Sequence, residues 1–193
     1  MKPNLKMFFS VIIVLLFISC KNDANNQKTN NNATTVNEQT DKTTGQAFIT
    51  DDGSTPNVLQ IAIGSPDHTT LVAAVQAADL ENALVNAGPL MVFAPTNAAF
   101  DALPEGTVET LLKPENKNTL ADILKYHVTP GNYSKDFLKK FKKLGQANNQ
   151  YVTVEVEGDD VFVGGAKILG SVKAGNGIVH VIDKVMLPPS KEN

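Results

Sequence analysis

Apolar residues recur at helical spacing through the first half of the folded region. The stretch 57–65, NVLQIAIGS, predicts one helix. The stretch 68–88 continues the same spacing and closes at Gly88, a residue that favours a helix end. Residues 106–128 predict two more helical pieces, which are broken at Pro114. This half of the region is therefore predicted to be mainly helical.

One short apolar strand interrupts the helical half. The stretch 91–100, MVFAPTNAAF, runs into Pro95, whose missing N–H a central sheet ladder could not tolerate. Thr96 or Asn97 is then placed to cap a brief helix that buries Phe100. The stretch predicts a corner between a strand and a helix, where hydroxyl and amide groups satisfy the backbone donors.

The second half has the two-residue period of strands. Residues 151–163 alternate valine with polar side chains and turn at 157–160, which predicts a hairpin. Further short strands are predicted over 166–187, with a turn at Gly175-Asn176-Gly177. Helices followed by antiparallel strands indicate an α+β fold and not a parallel βαβ sheet.

The N-terminus predicts an export signal. Two lysines precede an apolar run, 7–18, that is shorter than the ~20 residues needed to span a bilayer. A signal peptide over 1–19 fits this pattern. Cys20, the only cysteine, follows a small residue and resembles the lipidated cysteine of the bacterial lipobox, although Phe17 stands where leucine is usual. Lys21 instead of aspartate favours the outer membrane by the same resemblance. The first expected partner is thus a membrane, through a lipid on Cys20.

Composition divides the remainder into a tether and a domain. Residues 20–52 are almost entirely polar and cannot bury enough apolar surface to fold, so we expect a flexible tether. Residues 53–189 have the size of a single domain, and 190–193 form a tail. All 17 basic residues are lysine, and the absence of arginine argues against a nucleic-acid partner.

Three motifs occur in a fixed order along the domain. They are PLMVFAPTNAAF at 89–100, YHV at 126–128 and NGIVHVIDKVMLPP at 176–189. Together they resemble the fasciclin (FAS1) domain family. The resemblance implies a wedge of short antiparallel β-strands packed with several helices, secreted or held at the cell surface, and associated with adhesion.

The resemblance also implies which motif residues are structural. In the family pattern the corner packs beside the closing strand, so both motifs act mostly as scaffold. His180 alternates with valines and is interpreted as a core histidine, with Asp183 as a hydrogen-bond acceptor. The expected structural residues are Pro95, Thr96, Asn97, Phe100, Asn176, Gly177, His180 and Asp183.

Two stretches are candidates for partner binding. By resemblance, Tyr126 and His127 form a pair implicated in adhesion, although Ser171-Val172 replaces a second, acidic adhesive element of animal relatives. The alternative is that Tyr126 packs and His127 ends a helix, where the dipole favours a cation.

The other candidate is the stretch 134–145, SKDFLKKFKKLG, which has the pattern of a basic amphipathic helix. It is suited to an acidic polysaccharide or anionic headgroups, or it is only a solvated helix face. Its candidate contacts are Lys139, Lys140, Lys142 and Lys143.

Catalytic chemistry has little support in the sequence. The histidines His68, His127 and His180 lack metal-ligand spacing, so no metal or cofactor is expected. No Gly-x-Ser-x-Gly motif is present, and nothing in the sequence pairs Ser134 or Ser171 with a histidine, so we do not expect an enzyme.

We therefore predict a lipid-anchored module of the cell envelope that binds an extracellular protein or polysaccharide. Its binding face would be an exposed one that carries Tyr126, His127 and the lysines. The first alternative is a protein that holds a small ligand in a pocket between the helices and the β-wedge. The second is a hydrolase, which would need a serine, a histidine and a carboxylate brought together.

Overall fold

The computed structural model describes residues 54–86 and 88–189. The predicted signal peptide, the lipidation of Cys20, the tether and the C-terminal tail lie outside the described residues, and they stay predictions. All described residues belong to one compact unit.

Helices dominate the first half of the described region, as the spacing of apolar residues predicts. The described α-helices are α1 Val58–Ile63, α2 Thr69–Ala77, α3 Glu81–Asn86, α4 Asn97–Asp101, α5 Thr107–Leu111, α6 Lys117–Tyr126 and α7 Lys135–Leu138. The prediction of one continuous helical stretch over 68–88 is wrong. Asp79 has a φ of 52°, a left-handed conformation that a right-handed helix cannot continue through, and it separates α2 from α3.

The strands form a single mixed sheet. They are β1 Leu90–Pro95, β2 Val128–Pro130, β3 Lys143–Gly145, β4 Tyr151–Glu157, β5 Asp160–Val163, β6 Ala166–Ala174 and β7 Gly177–Ile182. Their order in the seven-stranded sheet is β2-β1-β7-β6-β5-β4-β3. The α+β fold and the β4–β5 hairpin are confirmed. The expectation of antiparallel pairing alone is wrong, because β1 pairs with β7 in parallel from Leu90↔Gly177 to Pro95↔Ile182.

Strand β1 separates two apolar cores. Met91 and Phe93 lie in the core formed with the other strands and Leu138 of α7. Leu90, Val92 and Ala94 lie in the core formed with α1, α2 and α6. This alternation follows from the two-residue period of a strand that is buried on both faces.

Candidate functional site

The corner after β1 ties distant elements together. Thr96 begins α4, since its side chain accepts a hydrogen bond from the Ala99 amide at 3.3 Å. Its own amide donates to the Ile182 carbonyl of β7 at 3.2 Å. The Asn97 side chain accepts from the Thr70 amide at 3.1 Å and donates to the Pro66 carbonyl at 2.9 Å. The polar groups of the corner therefore bond within the domain, at the start of α2.

The turn between β6 and β7 has a similar arrangement. Asn176 accepts a hydrogen bond from the Val58 amide at 2.9 Å and donates to the Leu84 carbonyl at 2.7 Å. It thus joins the start of α1 to α3. A Cβ on the neighbouring Gly177 would lie 1.8 Å from the Leu90 carbonyl oxygen. No side chain fits in that space, so the parallel pairing of β1 with β7 requires glycine here.

His180 is fully buried and has partners on both ring nitrogens. Its Nε2 lies 2.9 Å from the Tyr133 carbonyl oxygen, so Nε2 carries the proton and donates. Its Nδ1 therefore accepts from the Ser171 hydroxyl at 2.7 Å. The ring stacks on Phe93, and burial lowers the pKa of His180. Nearby, Asp183 accepts from the Lys167 amide at 2.7 Å.

The Ser171–His180 contact corrects the expectation that Ser171 has no histidine partner. The contact does not complete a catalytic triad. In a triad a carboxylate stabilises the imidazolium that forms when the histidine takes the serine proton. The third group here is a backbone carbonyl, and burial opposes the charged ring. The pair is therefore poorly suited to act as nucleophile and base.

Tyr126 and His127 do not lie on an exposed face. Tyr126 is 5% exposed and packs in the core on the α7 side of the sheet, where its hydroxyl donates to the Tyr151 carbonyl at 3.2 Å. His127 is 3% exposed. Because helix α6 turns its last residues into the domain interior, the expectation that this pair belongs to an exposed binding face is wrong.

The hydrogen bonds of His127 fix its tautomer and its charge. Its Nδ1–H donates to the Ile123 carbonyl at 2.9 Å, and its Nε2 accepts from the Met186 amide at 2.9 Å. Burial lowers the pKa of His127 to about 4, so the ring is neutral at physiological pH. The ring therefore holds the segment after β7 against α6, and it is not the helix-terminal cation considered from the sequence.

The stretch 134–145 is not one amphipathic helix. Helix α7 ends at Leu138, the chain turns, and Lys143–Gly145 form β3 at the edge of the sheet. Leu144 pairs with Val152 of β4 and is buried. Pairing with β4 overrides the helical spacing of the apolar residues, as tertiary contacts often do.

The lysines of this stretch differ in their surroundings. Lys139 lies 3.6 Å from Asp136 and 3.8 Å from Asp159, an acidic residue of the β4–β5 turn. Within the described part of the chain, Lys140, Lys142 and Lys143 have no ion-pair partner and are exposed. The sequence did not indicate that Lys139 pairs with Asp159, because the two residues are twenty positions apart along the chain.

An aromatic cluster lies beside these lysines. The rings of Tyr133, Phe137 and Phe141 have centroids 5.1 to 5.5 Å apart. Phe137 is 41% exposed, and the Lys140 ammonium lies 4.9 Å from its ring centroid. We call Phe137, Lys140, Lys142 and Lys143 the α7–β3 surface. It combines an exposed ring with three cations that make no ion pair in the described region.

A separate pocket lies between the helices and the sheet, where the small-ligand alternative expects one. Its volume is about 200 Å³, and nearly all of its lining is aliphatic. No group of three or more histidine, cysteine, aspartate or glutamate residues is placed to hold a metal ion within residues 54–86 and 88–189. Over the same ranges, no helix combines the length and apolar character required to cross a bilayer.

These features define a small α+β domain. Its polar corners form hydrogen bonds within the domain, and it offers a basic aromatic surface and an apolar pocket. Comparison with known proteins places it in a family, since residues 66–188 match the sequence model of the fasciclin domain. The chain belongs to the fasciclin (FAS1) domain family.

Individual relatives span much of the chain. Protein sll1483 of Synechocystis sp. is 47% identical over 137 residues, which are 70% of this chain and 76% of that protein. The cell surface glycolipoprotein MPB83 of Mycobacterium bovis is 39% identical over 108 residues, 55% of this chain and 47% of that protein. A solved FAS1 domain pair from the insect cell adhesion molecule Fasciclin I has a TM-score of 0.47 and 22% identity, covering 61% of this chain and 44% of that one.

Proposed function

We propose that this protein is a non-enzymatic binding module of the cell envelope that attaches to acidic polysaccharides through the α7–β3 surface. The observation that carries the proposal is the exposed Phe137 ring with Lys140 above it, next to Lys142 and Lys143. The lipid on Cys20 would hold the domain at the outer membrane, and the polar residues that follow would act as its tether.

The chemistry of the α7–β3 surface suits a polymer of acidic sugars. An aromatic ring offers an apolar face to the C–H groups of a sugar, while lysine ammonium groups attract carboxylates. Phe137 and the three cations lie within seven consecutive residues, 137–143, so a short length of polymer could meet the ring and the lysines together. Because they are exposed, their attraction is expected to weaken as salt is added.

The neighbouring acidic residues limit this surface. Asp136 and Asp159 partly neutralise Lys139, while Asp160 lies 2.6 Å from the ammonium of Lys167. The hydrogen bond from Lys167 lowers the pKa of the Asp160 carboxyl. Because these carboxylates offset the charges of Lys139 and Lys167, contact with a polyanion is expected at Lys140, Lys142 and Lys143 instead.

The anchor is supported by the sequence and by one relative. Cys20 ends an apolar segment and is the only cysteine in the chain. A relative of this chain is itself named a cell surface glycolipoprotein. Metabolic labelling with an alkyne-bearing fatty acid tests the anchor, with labelling of the parent and none of a Cys20→Ala variant as the expected result.

The binding proposal is tested with the chain from Lys21 to Asn193 and alginate, a uronic-acid polymer. The test variant changes Lys140, Lys142 and Lys143 to glutamine. The control variant changes Lys113, Lys173 and Lys184 to glutamine and so has the same net charge as the test variant. These three lysines are exposed and make no ion pair in the described region. At low salt the test variant is expected to bind about tenfold more weakly, from about 0.5 kcal/mol for each exposed charge.

The control is expected to bind within about twofold of the parent, because its lysines lie away from the proposed surface. Equal weakening of both variants would show that only net charge matters, and it would contradict the proposal. Tight binding to extracellular proteins with none to alginate would also contradict it.

A further inference from the structure

The pocket between the helices and the sheet is a second feature with binding chemistry. Leu59 of α1, Val75 of α2 and Leu84 of α3 line it from the helices, and Val92 of β1 lines it from the sheet. We propose that this pocket binds a single medium-length hydrocarbon chain with an anionic end. The proposal is independent of the α7–β3 surface, with which the pocket shares no residue.

The lining of the pocket selects for an apolar ligand. All of its described lining residues except Lys125 and His127 are hydrocarbon side chains. His127 offers no hydrogen bond, because both of its ring nitrogens are already used by Ile123 and Met186. A ligand body with polar groups would leave them unpaired and would be disfavoured.

The size of the pocket limits the length of the buried chain. A dry apolar cavity of about 150 Å³ is large enough for benzene. By proportion, the volume of about 200 Å³ corresponds to roughly eight carbon atoms. We therefore expect affinity to increase about fourfold with each added methylene up to that length and then to level off.

Lys125 gives the ligand its charge and its orientation. It is the one charged residue among those that line the pocket, and its side chain is exposed. It makes no ion pair with any described residue. A carboxylate or phosphate at the end of the chain could meet this ammonium at the solvent side while the hydrocarbon lies inside.

The test measures binding by isothermal titration calorimetry at low salt, again with the chain from Lys21 to Asn193. The probes are hexanoate, octanoate and decanoate, with octanol as a neutral probe of the same length as octanoate. Ala83→Phe is the pocket variant, since Ala83 lines the pocket, is exposed and is not one of the buried core residues. Lys125→Gln is the charge variant, and Lys113→Gln is its matched control.

The expected result is that octanoate binds more tightly than hexanoate by about fifteenfold, from two methylenes, and that decanoate gains little more. Ala83→Phe should weaken octanoate and octanol alike. Lys125→Gln should weaken octanoate about threefold, as for an exposed ion pair, and leave octanol unchanged. Lys113→Gln should change neither.

Several results would overturn the proposal: no binding of octanoate or octanol, affinity that does not depend on chain length, or an Ala83→Phe variant that binds as the parent does.

A free fatty acid and a single-chain phospholipid share the proposed chemistry. Comparing the affinity for octanoate with that for an eight-carbon lysophosphatidylglycerol distinguishes them, because the probe that binds more tightly shows which class of ligand the pocket prefers.

Discussion

The buried His127 predicts a specific loss of stability in mild acid. The pKa of His127 is about 4 in the folded protein, against an ordinary value of 6.5. Between these two values the unfolded chain binds a proton that the folded protein excludes. The contribution of the neutral His127 ring to the unfolding free energy is therefore fully present above pH 6.5, and it is lost as the pH falls toward 4.

The size of the effect follows from the same two values. Lowering the pH from 7 to 5 should cost about 2 kcal/mol of unfolding free energy through His127 alone, at ~1.4 kcal/mol for each unit of pH below 6.5. The perturbation is His127→Gln, because an uncharged amide retains one donor and one acceptor but does not titrate. The variant should be less stable than the parent at pH 7 and should lose less stability on acidification.

Urea unfolding of the parent and of His127→Gln, at pH 7 and at pH 5, measures this difference. His68 and His180 also have lowered pKa values because of burial, and Asp160 has a lowered pKa because of Lys167. These groups are present in both chains, so their contributions cancel when the two pH-dependent losses are subtracted. Equal losses of unfolding free energy in parent and variant between the two pH values would show that His127 does not carry the acid sensitivity.

Two further predictions concern the turn that joins β6 to β7. Gly177→Ala should destabilise the fold by about 4 kcal/mol or more, because the added Cβ meets the Leu90 carbonyl. The control is Gly170→Ala on β6, whose added Cβ would meet no atom within 4 Å. Equal urea midpoints for the two variants would contradict the prediction. Asn176→Ala should cost about 2 kcal/mol in the same assay, since it removes the acceptor of the Val58 amide at the start of α1 and the donor to the Leu84 carbonyl of α3. Asn118→Ala on the exposed side of α6 should cost almost nothing. A larger loss for Asn118→Ala than for Asn176→Ala would show that these two hydrogen bonds are unimportant.

The parts of the fold that depend on local pattern were predictable. The alternation in 151–163 gave the β4–β5 hairpin, because one face of the strand is buried and the other is solvated. The residues before and after Pro95 predicted a strand that ends at a helix cap, and Thr96 supplies that cap. The motifs predicted the family, which the match over residues 66–188 shows.

Features that depend on distant contacts were not predictable from one sequence. The parallel pairing of β1 with β7 joins residues 87 positions apart, such as Leu90 and Gly177, and no local pattern encodes it. The helical spacing of 134–145 was misleading because β4 recruits Leu144 into a strand.

The binding candidates were only partly predictable for the same reason. The order Tyr-His at a helix end does not indicate which way the helix faces, so the burial of His127 was not visible. The pairing of Lys139 with Asp159 likewise depends on how the β4–β5 turn folds back toward α7. The sequence thus located the basic stretch but not which of its cations lack an ion pair.

In the proposed function, the α7–β3 surface is the contact for acidic polysaccharides. The decisive experiment maps amide chemical-shift changes while the chain from Lys21 to Asn193 is titrated with alginate oligomers at low salt. The largest changes should fall on residues 137–143, on the exposed ring and the three cations. Changes centred on Lys113, Lys173 or Lys184, with 137–143 unaffected, would contradict the proposed function.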